Sequence, residues 1–139
     1  MITIGIVEDN DVLRSSMEML LQNNGNYQVV FSLHDARTIL EQTEIHMPRL
    51  ILMDIDMPGI NGIEAVKMVK KDFPAVDIIM FTVFEDDEKI FRSVMAGASG
   101  YLLKKIAPSR LLEALNDFVQ GGAPMSSQIA RKVVNAFLK

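Results

Sequence analysis

Short apolar runs alternate with longer segments in which apolar residues recur at helical spacing, from Ile2 to Val119. A run of about five apolar residues has the length of a buried strand, whereas the longer period is that of a helix with one buried face. The runs predict five strands, at Ile2–Val7, Tyr27–Phe31, Leu50–Met53, Asp77–Phe81 and Gly100–Leu103. The segments after them predict five helices, at Asp11–Asn24, Asp35–Ile45, Asn61–Asp72, Asp87–Ala96 and Pro108–Val119.

This order of elements favours one fold class. The predicted strands are apolar throughout and each is followed by a helix, which is typical of a parallel sheet covered on both faces. Connections between parallel strands are right-handed in almost all such sheets. We therefore predict a doubly wound α/β fold, in which ligands bind beyond the carboxyl ends of the strands.

A further helix is predicted after the fifth strand-helix unit. Ser126 or Ser127 can cap it, and its apolar stripe consists of Ile129, Ala130, Val133, Val134, Phe137 and Leu138. A stripe of this width requires burial. We therefore expect the last helix to dock on its own chain or on a neighbouring chain.

The composition is that of a single soluble domain. The 139 residues are 49% hydrophobic and 23% charged and include no cysteine, which excludes disulfides, thiolate catalysis and cysteine-ligated metals. No apolar run approaches the roughly 18 residues of a membrane helix, and the first residues lack the pattern of a signal peptide. The sequence therefore predicts a cytoplasmic protein that has no membrane partner.

The charge of the chain is negative and unevenly distributed. A net charge of −4 argues against nucleic-acid binding through the overall electrostatic field. Residues 121–139 contain three basic residues and no acidic residue, so residues 1–120 carry −7. The acidic part of the chain therefore coincides with the strand-helix units.

Polar side chains stand where the predicted strands end. Glu8 and Asp9 follow the first strand, Asp54 follows the third, Thr82 follows the fourth, and Lys104 follows the fifth. Three carboxylates at one edge of a sheet repel one another and one lysine does not offset them, so a divalent cation is their natural complement. Oxygen ligands alone favour Mg²⁺. A carboxylate, Mg²⁺, an amine and a hydroxyl together indicate a phosphoryl-transfer site with the carboxylate as nucleophile.

Each of these residues also has a purely structural interpretation. Asp9 begins a good helix-capping cluster, and Thr82 is an ordinary strand residue. Lys104 can belong to a solvated lysine pair, and Tyr101 can be a core residue. The position of Asp9 opposite Asp54 favours the site over the helix cap.

Several motifs occur together and in order at the predicted strand ends: Glu8–Asp9, Asp54–Gly59, Asn61–Gly62, Thr82 and Gly100–Lys105. With these motifs, Ile2 to Gln120 resembles the receiver domain of a bacterial two-component response regulator. Gly97–Lys104 and Gly121–Ser126 are most similar to the NarL/FixJ (LuxR-type) subfamily. The resemblance implies a flavodoxin-like (βα)5 sheet with strand order 2-1-3-4-5, and the additional C-terminal helix follows it.

The resemblance also implies a role for each site residue. Asp54 would accept a phosphoryl group from a sensor histidine kinase or from a small acyl phosphate. Asp9 and Asp54 would bind Mg²⁺ directly, the backbone carbonyl of Asp56 would be a third protein ligand, and Glu8 would act through a water molecule. Lys104 would pair with Asp54 and then with a phosphoryl oxygen.

The remaining implied roles concern the switch. Thr82 would donate its hydroxyl to another phosphoryl oxygen, and the ring of Tyr101 would turn inward into the space that Thr82 vacates. In the family a cis peptide bond, usually before proline, follows the lysine. We therefore predict a cis bond between Lys104 and Lys105, although it would cost about 3 kcal/mol before a residue other than proline.

The resemblance divides the chain into two parts. Residues 1–120 would form the receiver domain, and residues 121–139 would be a linker and helix leading to a helix-turn-helix DNA-binding domain that this chain lacks. The chain would then be a fragment of a transcription regulator rather than an isolated receiver. It would be a signalling phosphoprotein, not an enzyme, that binds DNA only through the missing domain and has a second copy of itself as a candidate partner.

Two interpretations from other classes compete with this one. Asp54-Ile55-Asp56 resembles the Asp-x-Asp motif of haloacid-dehalogenase-type phosphohydrolases, but that motif usually lies on the first strand, and here two strand-helix units precede it. The other is a pseudo-receiver, an interaction module of the same fold without phosphorylation. The joint presence of Asp9, Asp54, Thr82 and Lys104 disfavours it.

Overall fold

The computed structural model of the protein describes residues 1–122 and 125–138. Five strands and five helices alternate along these residues, and a sixth helix follows. The strands are β1 (Ile2–Val7), β2 (Tyr27–Leu33), β3 (Leu50–Met53), β4 (Asp77–Thr82) and β5 (Gly100–Leu103). The helices are α1 (Asp11–Asn24), α2 (Ile39–His46), α3 (Gly62–Asp72), α4 (Asp87–Ala96), α5 (Pro108–Val119) and α6 (Ser127–Leu138).

The five strands form one parallel sheet in the order β2-β1-β3-β4-β5. This confirms the predicted fold class and strand order. Val7 of β1 pairs with Met53 of β3, which in turn pairs with Met80 of β4. The carboxyl ends of β1 and β3 are therefore level and β4 extends two residues further. The residues that follow these strands lie at the same edge of the sheet.

The core consists of two apolar layers, one on each face of the sheet. Successive residues of a strand point to opposite faces, so Ile51 and Met53 of β3 join one layer and Leu50 and Leu52 join the other. The first layer is covered by α2, α3 and α4, and the second by α1 and α5. Because both layers are buried, the central strands are apolar throughout.

Two predicted boundaries were wrong by more than one residue, because local contacts at the ends of the elements override the apolar pattern. β2 continues two residues past Phe31, since Leu33 still pairs with Val7 of β1. The helix predicted from Asp35 begins only at Ile39. The carboxylate of Asp35 accepts a hydrogen bond from the backbone amide of Arg37 at 3.0 Å, which stabilises a turn at this point instead of a helix.

Three of the loops at the carboxyl edge of the sheet end in helix caps. The side chains of Asn10, Asn61 and Asp86 accept hydrogen bonds from the backbone amide three residues later, at 2.9, 3.0 and 3.1 Å. Each cap satisfies an amide that the first turn of a helix leaves without a partner. The caps therefore fix where α1, α3 and α4 begin relative to the strand ends.

The first residue of α3 lies directly against the residue that follows β3. A Cβ atom on Gly62 would lie 1.9 Å from the carbonyl oxygen of Asp54. The backbone amide of Gly62 also donates a hydrogen bond to the carbonyl of Ile55 at 2.8 Å. The absence of a side chain at position 62 therefore permits α3 to support the backbone around Asp54.

The last helix, α6, docks on its own chain, on α4. Ser126 caps it by accepting a hydrogen bond from the backbone amide of Ile129 at 3.2 Å. The side chain of Ile129 is only 2% exposed and extends the core layer that α4 covers. The rings of Phe91 and Phe137 meet edge to face, with their centroids 5.6 Å apart.

A polar contact also joins α6 to the loop between β4 and α4. The ammonium of Lys132 donates a hydrogen bond to the backbone carbonyl of Glu85 at 2.8 Å, and it lies 3.3 Å from the carboxylate of Asp87. The acidic stretch at the start of α4 therefore attracts the basic side of α6. Charge as well as apolar packing holds the last helix.

Candidate functional site

The residues singled out at the strand ends lie together at the carboxyl edge of the sheet. The side chains of Glu8 and Asp54 are 1% and 4% exposed, and Thr82 is fully buried. Lys104 reaches both buried carboxylates, with its Nζ 2.7 Å from Oε1 of Glu8 and 3.1 Å from Oδ2 of Asp54. The structure thus brings β1, β3, β4 and β5 to one polar cluster.

Three carboxylates of this cluster are close enough to share a cation. One oxygen each of Glu8, Asp9 and Asp54 lies within 4.8 Å of the others. Asp9 is exposed, so a bound ion would be open to solvent on that side. Asp56 follows Asp54 by two residues and its side chain is also exposed. An all-oxygen set of this kind, open to water on one side, suits a hard divalent cation.

Burial sets the electrostatics of Asp54. The pKa of the Asp54 carboxyl is raised from 3.8 to about 7. The largest cause is its removal from water, the charge of Glu8 raises the pKa further, and Lys104 opposes both effects. Burial alone would lower the pKa of Lys104, but hydrogen bonds and charges from Glu8 and Asp54 outweigh it and raise that pKa. One ammonium therefore compensates two buried carboxylates only in part.

Both carboxylate oxygens of Asp54 have a partner. Oδ1 accepts a hydrogen bond from the backbone amide of Ile55 at 2.8 Å, and Oδ2 faces Lys104. These contacts fix the plane of the carboxylate at the end of β3. A carboxylate held in this way is pre-oriented for attack on a group that approaches from the exposed side.

Glu8 has a contact that the sequence did not indicate. Lys104 was predicted to pair with Asp54, and the structure pairs it with Glu8 as well, at a shorter distance. The other carboxylate oxygen of Glu8 accepts a hydrogen bond from the backbone amide of Asn10 at 3.0 Å. Because β1 and β5 are not neighbours in the sheet, no pairing pattern in the sequence points to the contact between Glu8 and Lys104.

Thr82 and Tyr101 meet at Phe84. The backbone amide of Phe84 donates a hydrogen bond to the hydroxyl oxygen of Thr82 at 3.4 Å, and its carbonyl accepts one from the hydroxyl of Tyr101 at 2.8 Å. The ring of Tyr101 is already fully buried. Burial, together with the charges of Asp86 and Glu85, raises the pKa of the Tyr101 hydroxyl far above its usual value. Tyr101 is therefore a neutral hydrogen-bond donor.

The predicted cis bond between Lys104 and Lys105 was wrong, because this peptide bond is trans. Lys105 is not proline, so the trans form is favoured by about 3 kcal/mol. The amide of Lys104 donates a hydrogen bond to the carbonyl of Thr82 at 2.9 Å, which continues the β4–β5 ladder. The ammonium of Lys104 reaches both carboxylates from this trans backbone.

Comparison with known proteins gives the family. Residues 4–116 match the response regulator receiver domain. The chain belongs to this family. This confirms the receiver-domain family that the sequence motifs predicted.

Proteins similar to this chain include transcriptional regulatory proteins. The chain is 30% identical to the transcriptional regulatory protein DegU of Brevibacillus brevis over 98% of this chain and 58% of that protein. It is 31% identical to the transcriptional regulatory protein LnrK of Bacillus subtilis (strain 168), over 97% of this chain and 61% of that protein. The chain thus spans about three fifths of the length of these relatives.

Solved structures show the same fold. A two-component response regulator of the LuxR family from Aurantimonas sp. SI85-9A1 superposes with a TM-score of 0.88 at 28% identity, over 99% of this chain and 98% of that one. The isolated REC domain of RcsB from Salmonella enterica serovar Typhimurium superposes with a TM-score of 0.85 at 21% identity, over 95% and 98% of the two chains. The likeness to RcsB concerns the fold alone.

Within residues 1–122 and 125–138, each helix is too short or too polar to cross a membrane.

Proposed function

We propose that Asp54 is the phospho-acceptor of this receiver domain. The observation that carries the proposal is a buried, oriented carboxylate that lies beside an ammonium and within 4.8 Å of two further carboxylates. An oxygen of Asp54 attacks the phosphorus atom, the bond between phosphorus and the leaving group breaks, and its electron pair goes to that group. The product is an aspartyl phosphate.

The donor is a phosphohistidine on a sensor histidine kinase or a small acyl phosphate. Lys104 pairs with Asp54 before transfer, and its flexible ammonium then follows a phosphoryl oxygen. The hydroxyl of Thr82 donates to another phosphoryl oxygen. That hydroxyl is fully buried, and the amide of Phe84 is only 3.4 Å away, so its movement is passed to the loop between β4 and α4.

The oxygen ligands fit Mg²⁺. Asp9 and Asp54 would hold the ion directly, the backbone carbonyl of Asp56 would be a third ligand, and Glu8 would act through a water molecule. Bound Mg²⁺ would offset the repulsion between the carboxylates and stabilise negative charge on the transferring oxygens. Glu8 is suited to the indirect role because Lys104 already lies 2.7 Å from one of its oxygens.

The output of the switch is transcription regulation through a DNA-binding domain that follows this chain. Residues 1–120 form the receiver, and residues 121–139 connect it to that domain. The chain acts in the cytoplasm and catalyses only its own phosphoryl transfer and dephosphorylation. A second copy of the chain is a further candidate partner, because RcsB, which shares the fold, is described as a dimer on DNA.

The acceptor can be tested by intact mass after incubation with acetyl phosphate and Mg²⁺. We expect one phosphoryl group on the wild-type chain, none on Asp54→Asn and one on the control Asp56→Asn, which changes the nearby exposed carboxylate. Undiminished labelling of Asp54→Asn would move the acceptor elsewhere. Steady turnover of acetyl phosphate without an adduct would indicate a hydrolase, and neither adduct nor turnover would indicate an interaction module.

A further inference from the structure

Arg14, in the first turns of α1, extends its guanidinium back to the end of β1. Nη1 donates a hydrogen bond to the backbone carbonyl of Glu8 at 2.8 Å, and Nη2 lies 2.7 Å from the carboxylate of Asp11. The side chain of Arg14 is only 18% exposed, whereas that of Asp11 is 81% exposed. The Arg14 side chain is therefore packed in place while it contacts the loop between β1 and α1.

The contact with the carbonyl of Glu8 restrains the peptide group that joins Glu8 to Asp9. The side chain of Glu8 is separately held by Lys104 and by the amide of Asn10. Asp9 is exposed, so packing does little to set its direction. The direction of the Asp9 carboxylate consequently depends on the backbone, and Arg14 restrains that backbone from one side.

Arg14 also places a positive charge near carboxylates that could hold a cation. This charge has the opposite effect to the restraint, because it would repel a metal ion. Asp11 lies 2.7 Å from the guanidinium and offsets that charge, and solvent screens what is left at an exposed edge. The geometric effect of Arg14 should therefore exceed its electrostatic effect.

We propose that Arg14 is a positioning residue that orients Asp9 for Mg²⁺ binding by holding the carbonyl of Glu8. The inference rests on the proposed function, since Mg²⁺ binding by Asp9 is part of that proposal. Residues that orient metal ligands change metal affinity by about 10–100-fold when they are replaced. Arg14 acts on a backbone carbonyl rather than on a ligand side chain, so we expect a smaller effect, of about five- to tenfold.

The test is calorimetric titration of Mg²⁺ into the unphosphorylated chain. We expect Arg14→Met to weaken Mg²⁺ binding by about five- to tenfold. The control Arg110→Met removes an exposed arginine whose guanidinium lies 3.9 Å from the carboxylate of Glu113 on α5, away from the acidic cluster. We expect the Mg²⁺ affinity of this control to match that of the wild type. With acetyl phosphate, Arg14→Met should need more Mg²⁺ for half the maximal rate but reach nearly the wild-type rate at saturation.

A second variant separates geometry from charge. Arg14→Lys keeps the charge but lacks the planar fork that reaches two acceptors, so we expect it to weaken Mg²⁺ binding as well. Unchanged or tighter binding by Arg14→Met would overturn the inference, as would wild-type binding by Arg14→Lys. If Arg14→Met fails to fold by circular dichroism, Arg14→Lys carries the test.

The proposed function and this inference fail in different ways. A wild-type chain that accepted no phosphoryl group and bound no Mg²⁺ would contradict the proposed function and remove the basis of the inference. A wild-type chain that did both, with Arg14→Met equal to it in Mg²⁺ affinity, would contradict the inference alone.

Discussion

At the scale of single residues, the site is defined by one ammonium shared between two buried carboxylates. Lys104 contacts both Glu8 and Asp54, and the pKa of Asp54 is nevertheless raised to about 7. The cost of removing the carboxylate from water and the repulsion by Glu8 therefore exceed the attraction of Lys104. Ionisation of Asp54 is therefore unfavourable in the folded chain, and this has measurable effects on stability.

Asp54→Asn should stabilise the fold at high pH. Folded Asp54 binds a proton more tightly than the ordinary carboxyl with a pKa of 3.8, so the wild type loses stability as the pH rises from about 4 to about 7. The asparagine variant lacks this loss. In urea unfolding we expect it to exceed the wild type by about 1–2 kcal/mol above pH 7.5, and to match it near pH 3.5.

Mg²⁺ provides the control for this prediction. If Asp54 binds the ion, saturating Mg²⁺ should stabilise the wild type more than Asp54→Asn, and so narrow the gap at pH 8. A gap that did not change with pH would show that Asp54 titrates normally in the folded chain.

Lys104→Met should destabilise the fold at pH 8 by about 2–4 kcal/mol, because it leaves Glu8 and Asp54 buried without their cation. Lowering the pH to 5.5 should restore part of the loss, because Asp54, whose pKa is raised, takes up a proton. The control is Lys105→Met, whose ammonium pairs with Glu85 on the surface and whose side chain is 66% exposed. Equal urea midpoints for the two variants at pH 8 would contradict the role of Lys104 as the cation that compensates Glu8 and Asp54.

Residue-level contacts were the least predictable part of the site. The polar residues at the strand ends could be identified from the sequence, because each follows an apolar run. The contact between Glu8 and Lys104 joins strands that are not neighbours, and the contact between Arg14 and Glu8 uses a backbone carbonyl. Neither leaves a periodic signal, although the spacing of Asp11 and Arg14 indicates a helical ion pair.

At the scale of elements, the order of strands and helices followed from apolar periodicity, whereas the strand order came from the family resemblance. The errors lay at ends where one hydrogen bond decides the boundary. The turn at Asp35 delays α2, and continued pairing with β1 prolongs β2 to Leu33. Periodicity indicates which face of an element is buried. It does not indicate whether a single local hydrogen bond ends a helix or strand one turn earlier or later.

The docking of α6 should depend on Ile129. This side chain is 2% exposed, and replacing it with alanine removes apolar contacts worth about 2–4 kcal/mol. Because α6 is the last described helix, we expect the loss to appear as local detachment rather than as global unfolding. Hydrogen exchange of the amides in residues 127–138 should accelerate at least tenfold in Ile129→Ala.

The matched control for α6 is Val134→Ala, on the same helix, where the side chain is 56% exposed. We expect its exchange to stay close to that of the wild type, apart from the small gain in helix propensity that alanine gives. Similar acceleration in both variants would mean that α6 is only loosely held by its apolar face.

At the scale of the whole molecule, a continuous set of contacts joins the acidic site to α6. Thr82 contacts the amide of Phe84, the carbonyl of Phe84 accepts from Tyr101, and the carbonyl of the next residue, Glu85, accepts from Lys132 on α6. A shift of Thr82 toward a phosphoryl group would therefore move a loop that α6 contacts directly. Such coupling is reciprocal when both events bias the same element.

Phosphorylation should consequently change the docking of α6. We expect hydrogen exchange in residues 127–138 to differ between the phosphorylated and unmodified wild type, and not to change in Asp54→Asn treated in the same way. In Lys132→Met, which lacks the contacts with Glu85 and Asp87, the difference should be smaller. Identical exchange before and after phosphorylation of the wild type would show that the site and α6 are independent.

The close approach of Gly62 to Asp54 has a consequence for how the family's sequences can vary. Any other amino acid at position 62 would place a Cβ atom 1.9 Å from the Asp54 carbonyl oxygen. Gly25 is different. Its φ is 83°, but among the described residues nothing apart from its chain neighbours lies within 4 Å of a Cβ placed there, so asparagine would be tolerated. In a library in which each residue is replaced in turn, position 62 would therefore accept glycine alone. A residue without a side chain would then be as intolerant of change as the carboxylate it supports.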